Sequence, residues 1–150
     1  MMPDSNRPEF AERDPDMPDD ALGLGLDLPP VAQPTVAAAP TPSALAQATT
    51  LFGDSIETQI VQAKCTVCHK VGLIASNSGL LFVSAGDGSA ATNLGAFASY
   101  LNGSEAARTR ILSMVTGVGH TGGKQMEVGS DLHQNLGEML RLLLEHQAGI

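Results

Sequence analysis

Cys65-Thr66-Val67-Cys68-His69 places two thiols and an imidazole within five residues. Two thiols three residues apart can each bond an edge carbon of one flat macrocycle, while the adjoining imidazole binds a metal at its centre. C-x-x-C-H is the attachment signature of c-type haem. On a helix, Cys65 and Cys68 stand at i and i+3 and His69 at i+4, so all three project to one side. They are the only cysteines in the chain. Shuffling two cysteines and four histidines yields this arrangement roughly once in 3000 sequences. Three other chemistries use the same residue types. A redox C-x-x-C belongs to a βαβ context, and no strand-rich stretch precedes this one. Zinc takes four ligands, usually as two spaced pairs, and His69, His120, His133 and His146 offer no second pair. A disulfide across two intervening residues is strained.

The elements that must position this pentapeptide occupy the second part of the chain. All nine prolines lie at or before Pro42, whereas fourteen of the sixteen glycines lie at or after Gly53. Residues 1–50 carry eight acids against Arg7 and Arg13, and residues 51–150 carry eight acids against six bases. The composition divides the chain into a tail, 1–50, and a domain, 51–150. Residues 1–27 are acidic and poor in large apolar groups, which predicts a disordered stretch in which Leu22, Leu24 and Leu26 are exposed loop leucines. Residues 28–50 are rich in Pro, Ala and Thr, which predicts a polyproline-like spacer of roughly 70 Å at about 3.1 Å per residue. Such a spacer suits a tether to a larger assembly.

The net charge of −8 argues against nucleic acid, whose phosphates need clustered Lys and Arg. No apolar run reaches the length of a membrane span. Met1 to Asp20 has neither a basic start nor an apolar core, so no export signal is visible. Covalent attachment of haem takes place outside the bacterial cytoplasm. The expected location is therefore periplasmic or extracellular, with the signal upstream or on a longer protein of which this is a fragment.

Within the domain, Gly53-Asp54 and Glu57 fit a capping box, and Ile56, Ile60, Ala63 and Val67 form an amphipathic stripe. This predicts a first helix from about Asp54 into the Cys65–His69 motif. Residues 71–91 read as loop, with Leu80 to Val83 extended against the core and a turn at Asp87-Gly88. Thr92 or Asn93 is expected to cap a short helix ending at Asn102-Gly103. Ser104 is expected to cap a helix over 105–116 with Ala107, Ile111, Leu112 and Val115 inward. Ser130 is expected to cap the last, running to about Gln147 with Leu132, Leu136, Met139, Leu140 and Leu143 inward. Gly137 within it either weakens the helix or admits a close neighbour. Aromatic residues are few, and a bound haem would supply much of the apolar volume of so small a core.

Residues 51–148 resemble a small monohaem cytochrome c. The likeness rests on Cys65, Cys68 and His69 closing an N-terminal helix, short inner helices, and a long last helix. It lacks the proline usual in the loop after the motif and the aromatic usual in the last helix. The resemblance implies an all-α fold of about four helices around one covalent haem c, with Cys65 and Cys68 carrying it and His69 as the proximal iron ligand. A later loop supplies the distal ligand. His120 is the expected one, in the glycine-rich Gly117–Gly123 loop, 51 residues after His69. Met126 is the alternative. Met114 and Met139 lie on helical stripes and read as core, and His133 and His146 as solvated. The implied function is one-electron transfer between redox partner proteins, not enzymatic chemistry. The alternatives are a haem enzyme or small-ligand sensor with an open sixth site, and a haem-bearing interaction module.

Overall fold

Ser43 caps the first helix of the described residues: its hydroxyl accepts from the Ala46 N–H at 3.2 Å. The structure, a computed structural model, describes residues 38–150. The acidic stretch 1–27 and residues 28–37 of the expected spacer lie outside the described residues. Helix α1, Ala44–Leu51, falls where the Pro/Ala-rich spacer was expected to continue. Its run of Ala, Leu and Gln has high helix propensity, and Ala44 and Ala48 are buried in the core. The compact unit accordingly spans Pro40–Ile150 and begins before residue 51.

No capping box forms at Asp54 and Glu57, because the chain is already helical there. From Phe52 to Cys65 it winds as a π-helix, in which each N–H reaches five residues back. The Thr66 N–H, at its end, donates to Val61 O at 3.0 Å. Gly53, Asp54, Ser55, Ile56 and Thr58 are weak α-formers, so tertiary packing rather than local propensity sets the winding. The wider turn aligns residues four or five apart. Phe52, Ile56, Glu57, Ile60 and Val61 are all buried. The expected stripe at α-helical spacing fails at its far end, where Val67 is 68% exposed.

After Cys65 the chain turns, with the His69 N–H donating to Cys65 O at 2.8 Å. The loop that follows returns to the motif, since the Phe82 N–H donates to His69 O at 2.8 Å. Helix α2, Ser89–Leu101, starts after Gly88 at φ 74°. Asn93 and Thr92 therefore lie inside this helix and do not cap it. Asn102 and Gly103, at φ 43° and 73°, end α2 in left-handed conformation as expected. Ser104 then caps α3, Glu105–Val115, and Ser130 caps α4, Asp131–Gln147.

Helix α4 packs against α1, the π-helix, α2 and α3. Leu136, Met139, Leu140, Leu142 and Leu143 supply its buried face. Nε and Nη2 of Arg108 both donate to the Gly137 carbonyl at 3.2 Å, but no neighbour comes close enough to require glycine there: a Cβ would meet Arg108 and Leu112 at an ordinary 3.8 Å. The described residues form four α-helices and one π-helix with no strand. None of these helices is long and apolar enough to cross a membrane.

Candidate functional site

The end of the π-helix, the loop after it, α2, α3 and the Gly117–Gly123 loop enclose a cavity of about 870 Å³. Cys65, Cys68, His69 and His120 all line it. Ile60, Leu80, Phe82, Phe97, Ile111 and Leu136 give it apolar walls. The two histidines, 51 residues apart in sequence, meet with ring centres 6.0 Å apart and planes 23° from parallel.

Each imidazole is fixed by its Nδ1. His69 Nδ1–H donates to Leu80 O at 2.8 Å, and His120 Nδ1–H donates to Gly123 O at 2.9 Å. A carbonyl oxygen can only accept, so the proton sits on Nδ1 and the lone pair on Nε2. That is the tautomer an imidazole needs to ligate a metal through Nε2, with the backbone carbonyl as its orienting partner. The two carbonyls are positioned differently. Leu80 belongs to a separate strip of chain, held to the motif through Phe82, whose ring centre is 6.2 Å from that of His69. Gly123 belongs to His120's own loop, which closes where Gln125 and Met126 N–H donate to Val115 O.

The spacing suits a metal held between the two imidazoles, provided both Nε2 atoms face it: two metal–nitrogen bonds of about 2 Å and about 1 Å from each nitrogen to its ring centre together match the 6.0 Å between ring centres. A flat ligand around such a metal would take up the cavity that Cys65, Cys68 and the apolar side chains line. Zinc fits less well, since among the described residues no three His, Cys, Asp or Glu side chains form a cluster able to hold a metal ion.

Met126 is 7% exposed and packs in the core, outside the cavity wall. Met139 is fully buried, as expected. Met114, expected as core, lies in the cavity wall. His133 and His146 lie on α4 away from the cavity. Sequence reasoning missed Tyr100, Lys64 and Arg110, which line the cavity too. Arg110 had a signal, standing four residues before Met114 and hence on the same face of α3. Arg108, Lys124 and Arg141 are in ion pairs, whereas Lys64 and Arg110 have no ion-pair partner among the described residues. Among the described residues, no Asp or Glu lines the cavity.

Burial pushes the Cys65 thiol from its ordinary 9.0 up to about 12, with Lys64 opposing the shift and Cys68 adding to it. Before any ligand is attached, this thiol is therefore protonated at neutral pH. The unfolded chain's thiol ionises first, so stability is full below about pH 9 and falls as pH rises toward 12. In urea titrations of the ligand-free protein between pH 8.5 and 11, the wild type should lose up to a few kcal/mol more than Cys65→Ser. Parallel losses in the two proteins would show that the thiol is not desolvated.

Compared with protein-family models, curated proteins and solved structures, the chain matches none.

Proposed function

We propose that this domain carries one covalent haem c and transfers single electrons, with His69 and His120 as the two axial ligands. The observation that carries the reading is the pairing of these imidazoles across the cavity that holds both cysteines. Each presents Nε2 because a carbonyl occupies Nδ1. When bound, the group supplies an Fe(III)/Fe(II) couple. The chain's part begins with Cys65 and Cys68. Their thiols would hold the group through two thioether bonds, formed by adding S–H across a C=C with no oxidant needed. His69 and His120 would both hold the iron, and two protein ligands would favour electron transfer over bond chemistry there. Lys64 and Arg110 suit a ligand with carboxylates, as haem has in its two propionates.

Absorption spectra of the protein produced with haem-attachment machinery test the reading. A band shift in alkaline pyridine diagnostic of two thioether bonds is expected, with a low-spin spectrum that carbon monoxide leaves unchanged after reduction. Absence of covalent haem would sink the proposal. A second reading, a small-ligand site, draws support from His120's tie to a carbonyl of its own loop, which could swing away with it. Immediate carbon monoxide binding by the unaltered protein would favour it.

A further inference from the structure

The His120 loop holds four glycines, and three are explained by backbone conformation. Gly117, Gly119 and Gly123 have φ of 101°, 68° and 77°, the left-handed region that side chains rarely adopt. Gly122 is not among the positive-φ residues, so its backbone would accept another amino acid. Its surroundings give a different reason for glycine. A Cβ placed there would lie 3.0 Å from His120 Cε1, 3.4 Å from Nε2 and 3.5 Å from Nδ1. The imidazole rests against the bare Cα of Gly122. A Cβ on Gly119 would meet nothing within 4 Å.

We propose that Gly122 is a positioning residue for His120: the missing side chain lets the imidazole lie against its own loop, Nδ1 bonded to Gly123 O, with the ring 6.0 Å from His69. The inference rests on the reading of His120 as the distal ligand. The atoms a Cβ would meet belong to the end of a side chain, not to backbone. An added methyl is therefore relieved by displacing the ring rather than the loop. Stability and ligand position separate at this residue: the fold tolerates alanine and the imidazole does not.

The test is Gly122→Ala in the full-length holoprotein, beside Gly119→Ala and His120→Ala. Gly122→Ala should keep the wild-type unfolding midpoint and lose the low-spin signature, in whole or in part. Added imidazole should restore it by occupying the place the ring has left. Gly119→Ala should show the reverse, a lowered midpoint with a low-spin spectrum. The inference is overturned if Gly122→Ala stays fully low spin while His120→Ala does not, or if its midpoint falls as far as that of Gly119→Ala. Should Gly122→Ala accumulate poorly, Gly122→Ser brings the same Cβ contact with a side chain that suits loops. If His120→Ala itself remains low spin, the distal-ligand reading fails, and the positioning inference falls with it.

Discussion

In the His120→Ala protein, the low-spin spectrum should give way to a high-spin one, and carbon monoxide should bind the reduced form immediately. His120 is the only residue besides His69 that brings an imidazole into the cavity, and its Nε2 is left free by the Nδ1 bond to Gly123 O. The methionine rival behaves differently. Met126 is buried in the core outside the cavity wall, and its N–H is tied to Val115 O. Met126→Ala should leave the spectrum low spin and lower stability by about 2–5 kcal/mol, the cost of truncating a buried methionine. Met114 lines the cavity and is the proper control, and Met114→Ala should also remain low spin. A low-spin His120→Ala protein that turns high spin on losing Met114 would transfer the distal role to that methionine. It would also raise the expected potential, since thioether ligation favours reduced iron over bis-imidazole ligation.

The parts of this architecture that local chemistry fixes were legible in the sequence. Ser104 and Ser130 cap their helices because a hydroxyl at that position answers N–H groups three residues on, and Asn102-Gly103 ends α2 because few residues accept positive φ. Cys65, Cys68 and His69 stood out by spacing and His120 by the glycines around it, and the fold brings these four to one cavity. What long-range packing decides was not legible. Helix α1 lay behind a composition that reads as spacer, although Ser43 followed by Ala, Leu and Gln has the pattern of a helix start. The π-winding of Phe52–Cys65 escaped because its buried residues repeat at between four and five, while the eye searches at 3.6. Asn93 looked like a cap because its partners are distant in sequence. The carbonyls that orient the two imidazoles, Leu80 and Gly123, are backbone atoms with no side-chain signature at all.

Asn93 is also where the second large effect is expected. Its side chain is fully buried and does two jobs. Oδ1 accepts from the Val83 N–H at 2.8 Å while Nδ2 donates to Val83 O at 3.0 Å, so one amide serves as a strand partner for the loop. Nδ2 also donates to both Glu57 oxygens, at 3.1 and 3.3 Å. Gln62 Nε2 joins the same two acceptors, donating to Glu57 and to Val83 O at 2.9 Å each. Ser89 Oγ donates to Glu57 Oε1 as well. Asn93→Leu should cost about 3–5 kcal/mol, because it strands the Val83 N–H and strips donors from a buried acid that has no ion-pair partner among the described residues. The loss reaches the site through the chain: Val83 anchors the segment whose Phe82 N–H holds His69 O and whose Leu80 carbonyl holds His69 Nδ1. Pairing Asn93→Leu with Glu57→Leu should recover part of the stability, since the acid no longer needs the lost donors, but not the anchoring of His69. Urea titration of the two variants reads the first effect, and a low-spin spectrum that broadens equally in both reads the second. If the double variant is as unstable as the sum of the single ones, Glu57 and Asn93 act independently. The network would then be a set of neighbours rather than the brace that carries the fold's rigidity to His69.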